Sequence, residues 1–136
     1  MKQSILVLIA FLFSISVFSQ SASATLDHNE IKIGEQTFID LEVQFPAASE
    51  TVIMPELKDT LSKFVEVLNI SKVDTAFDED DIGLKIFTQR ITITSFDSGL
   101  HVIPPFLIKV GAQSISTEPL LLTVNTIAIE LSLIHI

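Results

Sequence analysis

The sequence contains no cysteine, no tryptophan and no tyrosine. Without cysteine there is no disulfide framework, no thiol nucleophile, no Cys-ligated metal and no lipid-modified residue behind a leader. Exported proteins use disulfides without needing them, so this absence leaves the compartment open. The disulfide-on-tryptophan core of antibody domains is excluded, and so is the tyrosine corner. Ten phenylalanines carry the aromatic packing instead. Basic side chains are scarce too: 8 Lys and Arg stand against 17 Asp and Glu, for a net charge of -9. Phosphate backbones and anionic headgroups are held by clustered Lys and Arg, so nucleic acid is not an expected partner.

A chain of 136 residues has room for one domain. Lys2 gives it a positive start, residues 5–18 are apolar, and small residues follow. This is the three-part order of a secretory signal peptide, and the apolar run is shorter than the roughly 20 residues that span a bilayer. Cleavage is expected after Ser19 in Val17-Phe18-Ser19, releasing Gln20, or after Ala24 in Ala22-Ser23-Ala24, releasing Thr25. Residues 1–24 are read as the leader and residues 25–130 as the domain. Losing Lys2 makes the mature protein one charge more negative.

Beyond the leader the hydrophobic period is two. Thr37, Ile39, Leu41, Val43 and Phe45 alternate with Phe38, Asp40, Glu42 and Gln44, the pattern of a strand with one wet face. Ile31 and Ile33 flank Lys32 ahead of a turn at Gly34-Glu35. Further strands are expected over residues 51–54, 64–73, 84–95, 100–103, 106–110, 113–117 and 120–129, with Pro55, Pro104-Pro105 and Pro119 as breaks. Gly111-Ala112 predicts a two-residue type II′ hairpin. Gly99, after Asp97-Ser98, predicts a backbone with positive φ or a close approach. Residues 59–63 are the one helical candidate. About seven to nine short strands predict an all-β fold, an immunoglobulin-like antiparallel β-sandwich preceded by a helical signal peptide. The expected core is Ile39, Leu41, Val43, Ile91, Ile93, Leu122 and Val124. In residues 84–95, Ile86 and Thr92 compete for the inward face.

Residues 131–136, Leu-Ser-Leu-Ile-His-Ile, match the translation of a transposase end sequence used in sequencing-library adapters. They are left out of the fold reasoning, as appended scars are. The natural frame is then expected to run past Glu130, and the chain reads as a fragment.

The acidic loop Asp78-Glu79-Asp80-Asp81 invites a Ca²⁺ reading. An EF-hand loop needs oxygen ligands at alternate positions and a bidentate Glu at the twelfth. Here the fifth position is Ile82 and the twelfth is Gln89, so a solvated acidic turn is the simpler reading. Asp97, Ser98 and His101 suggest a hydrolytic triad, but no Gly-x-Ser-x-Gly elbow is present and the three lie along one strand. His28 is isolated in an early loop and His135 lies in the appended segment, so no His-built metal site is expected. No catalytic, metal or cofactor residue is assigned. Asn69-Ile70-Ser71 matches the N-glycosylation pattern within an expected strand. Asp59-Thr60-Leu61 and Asp74-Thr75-Ala76 match the Asp-Thr-aliphatic acceptor O-glycosylated in some exported bacterial proteins.

Three stretches are distinctive: Ile31-Lys32-Ile33-Gly34-Glu35, Gly99-Leu100-His101-Val102-Ile103-Pro104-Pro105 and Thr117-Glu118-Pro119-Leu120-Leu121-Leu122-Thr123-Val124. In this order and spacing the chain resembles, over most of residues 25–126, the immunoglobulin-like domains of the BatD family, bacterial envelope proteins of the aerotolerance operon. His101 stands where that pattern has an aromatic residue. The resemblance implies a periplasm-facing, non-enzymatic scaffold, held at the inner membrane by a later apolar segment. Its expected partners are other envelope proteins, of a von Willebrand-type and MoxR-type system. It brings no catalytic residues and no cofactor. The contrasting expectation is an exported ligand-binding module, for a glycan or for Ca²⁺ at residues 78–81. A small exported hydrolase is the third and least supported.

Overall fold

A computed structural model describes residues 2–4, 20–48, 51–78 and 83–126. Apart from a helical turn at residues 2–4, the described chain is strands and connecting turns. The strands are β1 (Ser21–Leu26), β2 (Glu30–Lys32), β3 (Gln36–Pro46), β4 (Val52–Ile53), β5 (Thr60–Ser62), β6 (Val65–Ile70), β7 (Asp74–Phe77), β8 (Leu84–Thr94), β9 (Gly99–Ile103), β10 (Leu107–Val110), β11 (Gln113–Ser116) and β12 (Leu120–Asn125).

They form three sheets. The largest has the order β1-β3-β8-β6-β5, with β7 also paired to β8; the others are β11-β10-β4 and β2-β12-β9. All pairings are antiparallel except that of β2 with β12. The large sheet curls into a half-barrel, the consequence of right-handed strand twist accumulated across long strands. The chain leaves the large sheet after β1 and enters the sheet of β12 at β2, so one early segment ties two sheets at their margin.

The centre is the β3–β8 ladder, which pairs continuously from Gln36 with Thr94 to Pro46 with Leu84. Ile39, Leu41 and Val43 on β3 and Ile91 and Ile93 on β8 are fully buried. Ile103, Ile108, Leu122 and Val124 from the smaller sheets join them in one cluster. All seven residues expected in the core are buried there, and Ile31, Phe45, Val65, Ile103, Phe106, Ile108 and Val110 complete it. On β8 the inward phase is odd-numbered, so Ile86 and Thr92 lie on the other side, half-buried.

Several strand expectations need correction. Twelve strands are described rather than seven to nine: β1 falls largely in residues read as leader, and β5 and β7 are too brief for period-two patterning to show. Residues 59–63 are not helical: Thr60 pairs with Glu66 and Ser62 with Val65 in a β5–β6 hairpin. The backbone polar groups there are satisfied by a neighbouring strand, which outweighs a weak local turn preference. The expected strand over residues 64–73 is shorter, β6 from Val65 to Ile70, and a further strand, β7, follows it; both lie along β8. Between them the Ser71 amide donates to the Arg90 carbonyl and the Ser71 hydroxyl accepts from the Arg90 amide, which pins the bend. The first strand begins at Ser21, inside the span read as leader. Residues 5–19 of the leader, residues 79–82 of the acidic loop and residues 127–136 lie outside the described residues.

Two turns show the expected glycine chemistry. Gly111 has φ of 59° in the two-residue link from β10 to β11, as a type II′ turn requires. Gly99 has φ of 129° at the start of β9, a conformation open only to glycine. An added Cβ there would meet nothing nearer than His101 Cε1 at 3.9 Å. The constraint is therefore torsional rather than steric. Gly99→Ala is expected to cost about 1–3 kcal/mol, measured by chemical denaturation. Unchanged stability would show that β9 can begin in ordinary extended geometry.

Candidate interaction surface

The three distinctive stretches, far apart in sequence, come together as one sheet. Residues 31–35 carry β2 and its turn, residues 99–105 carry β9, and residues 117–124 lead into β12, which lies between the other two. Thr117 prepares the register: its hydroxyl accepts from the Phe106 amide at 2.9 Å, and its own amide donates to the Phe106 carbonyl at 3.0 Å. The inward face presents Ile31, His101, Ile103, Leu122 and Val124, all buried. The outward face pairs Leu121 with Val102 and Thr123 with Leu100. Leu100, Val102 and Leu121 are each more than half exposed, at 63%, 54% and 54%. Three large apolar groups side by side across two strands are more than the scattered single residues normal on a soluble surface.

A groove of about 510 Å³ opens where the β9–β10 link meets the segment after β4. Met54, Leu57, Leu61 and Phe106 supply its apolar floor, with Ile53 and Leu107 exposed on the rim. Pro104 and Pro105 form one wall, and Lys58 and Lys109 stand at its edge with Glu56. Alternation on β10 explains the lining: Ile108 and Val110 go to the core while Leu107 and Lys109 face out. Pro104-Pro105 belongs to one of the distinctive stretches and Leu61 to an Asp-Thr-aliphatic match, but no motif marks these lining residues as one surface.

The outer face of the large sheet is mixed, with Asp40, Glu42, Gln44, Thr88 and Arg90 beside Phe38 and Ile86. Arg90 donates through Nε to Asp40 Oδ1 at 2.8 Å and through Nη2 to Asp40 Oδ2 at 3.1 Å, a two-pronged pair across β3 and β8. The Arg90 guanidinium also lies 4.8 Å from the centre of the Phe38 ring. The hydrogen bond to Asp40, then its charge, raises the pKa of Arg90. The pair is solvent-exposed, where such contacts contribute little.

The residues considered for chemistry are not assembled into a catalytic group. His101 Nε2 lies 2.7 Å from the main-chain carbonyl oxygen of Asp97. That oxygen only accepts, so Nε2 carries the proton and donates. The imidazole is thereby tied to the backbone, buried and packed against the Phe64 ring at 5.2 Å, while Ser98 is exposed. His101 thus fills an aromatic role with a ring that also closes the Asp97 turn. His28 is exposed, 3.5 Å from Asp27 Oδ2. Asp78 is described, its amide donating to the Leu84 carbonyl, but the other three acids of its loop lie outside the described residues. Among the described residues no group of His, Asp and Glu is placed to hold a metal ion. Asn69 is exposed in β6, Thr60 opens β5 with Leu61 half-buried behind it, and Thr75 is exposed in β7. Compared with protein-family models, curated proteins and solved structures, the chain finds no match.

Proposed function

We propose that the protein is a non-enzymatic interaction module of the bacterial cell envelope, built on an immunoglobulin-like sandwich of the BatD kind. The observation that carries this reading is the convergence of the three family-like stretches into the single β2-β12-β9 sheet. Turn glycines, strand-ending prolines and core alternation then serve one structural unit, which shows an exposed apolar stripe to the outside. His101, buried and hydrogen-bonded to the Asp97 carbonyl, serves that unit as a packing group.

On this reading the protein is exported, and its leader is removed after Ser19. Cleavage after Ala24 would take Ser21, Ala22, Ser23 and Ala24, which hold four of the six β1–β3 pairings. In the full-length protein an apolar segment beyond this domain holds it at the inner membrane. Its partners are envelope proteins of a von Willebrand-type and MoxR-type system. Sequencing the DNA on either side of the gene tests this first. Reading frames for a von Willebrand-type protein and a MoxR-type ATPase are expected there, and the purified von Willebrand-type product is expected to form a complex with this chain. Unrelated neighbours and no complex would sink the assignment.

A further inference from the structure

The segment after β4 leaves the sheet without entering another. β4 ends its sheet, paired to β10 through only Val52 and Ile53. Residues 54–58 then make no main-chain hydrogen bond among the described residues. Met54, Pro55 and Leu57 are nevertheless half-buried, Met54 and Leu57 packed against the core. Unpaired N–H and C=O groups beside a sheet edge are a template for a further strand. The apolar groove lies directly against this template, walled on its far side by Pro104 and Pro105.

Charge selects what would lie there. The chain as a whole has about twice as many acidic as basic residues, 17 against 8. The groove reverses that balance, with Lys58 and Lys109 against Glu56 alone. Lys109 is opposite Ile53 in the β10–β4 register, so a cation and an apolar group sit side by side on the same face. Successive side chains of a strand point to opposite faces, so the complementary segment carries apolar and acidic residues in turn at every second position, the first entering the groove and the second meeting the lysines.

We propose that this groove is a docking site for an extended segment of a partner protein, with apolar and acidic residues in turn at every second position, added as a strand beside residues 53–58. The proposal rests on the interaction-module reading above and names its surface and the chemistry of its partner. Main-chain hydrogen bonds to residues 54–58 supply affinity, the pocket at Leu57 and Phe106 takes an apolar side chain, and the lysines set the charge preference.

The test uses the full exported chain, isotopically labelled for amide NMR. The probe is a capped peptide of about eight residues, a common strand length, with serine at every second position and valine and glutamate in turn at the others. The same peptide with lysine in place of glutamate is the control. The expected result is that the glutamate peptide shifts the amides of Ile53, Met54, Glu56, Leu57, Lys58, Leu107 and Lys109, and that the lysine peptide does not. Lys58→Glu with Lys109→Glu is expected to weaken the glutamate peptide about tenfold, the size of two exposed ion pairs. Both lysines are exposed, so the variant is expected to keep its amide dispersion. Equal binding of the two peptides, shifts confined to another surface, or no shifts at millimolar peptide would overturn the proposal. If the peptide result is negative while the complex with the von Willebrand-type partner still forms, the docking site is wrong and the interaction reading stands. If that complex also fails, the interaction reading falls as well.

Discussion

Ile91→Ala is expected to destabilise the domain by about 3–4 kcal/mol, within the range for deleting a buried branched side chain. Ile91 sits on β8, paired to Ile39 of β3 on one side and to Ile70 of β6 on the other. Its side chain is fully buried. Two hydrogen-bonded neighbours keep the backbone from collapsing into the space left by the lost atoms, so the cavity cost is retained. For a domain of about 100 residues each kcal/mol lowers Tm by about 4–8 °C, so a fall of roughly 12–30 °C is expected. Ile86→Ala supplies the internal comparison, because Ile86 lies on the same strand in the opposite, half-buried phase. It is expected to cost less than half as much, since part of its surface is already in water. Thermal melts of the two variants read the orientation of β8 directly. A larger loss from Ile86 than from Ile91 would mean that the strand faces the other way.

That comparison turns on the place where the sequence was hardest to read. β3 alternates cleanly from Thr37 to Phe45, so its inward face follows from period two alone. β8 does not: Leu84 and Ile86 fall in one phase, while Phe87, Ile91 and Ile93 fall in the other. The odd phase wins although it carries Lys85 and Gln89. Gln89 Nε2 donates to the Ser71 carbonyl at 3.0 Å, and Lys85 Nζ lies 5.7 Å from the centre of the Phe77 ring. Both partners come from the chain between β6 and β8, 18 residues away for Gln89 and at the facing position of β7 for Lys85, and no local pattern announces them. The same reason hides β5 and β7, which are strands because β6 and β8 offer free edges to pair with. The groove was hidden differently. Lys58, Lys109 and the two proline breaks are plain in the sequence, but only the pairing of β4 with β10 brings them together.

A chain beginning at Thr25 is expected to be less stable than one beginning at Gln20 by about 2–4 kcal/mol. Ala22-Ser23-Ala24 has the small residues of a cleavage site, and the same three residues are part of an edge strand. Ala22, Ala24 and Leu26 are half-buried against the core, while Ser21, Ser23 and Thr25 face out, a period-two pattern written in small side chains. Small residues suit both roles, which is why the sequence left two cleavage sites open. Starting at Thr25 removes the pairings of Ser21, Ala22, Ser23 and Ala24 with Gln44, Val43, Glu42 and Leu41. Each net hydrogen bond is worth about 0.5–1.5 kcal/mol, and the edge of β3 over the buried Leu41 and Val43 is opened to water. The shorter chain also presents β3 as a bare edge, a template for self-association. Urea titration of the two chains, with light scattering on the native samples, measures both effects. Equal midpoints and no association of the shorter chain would show that β1 contributes nothing to the fold, and would remove the structural reason for processing after Ser19. A mature N-terminus at Gln20, read by mass spectrometry of the exported protein, is the matching expectation in the cell, since a leader cut at Ala24 would release a domain lacking most of the first strand of its largest sheet.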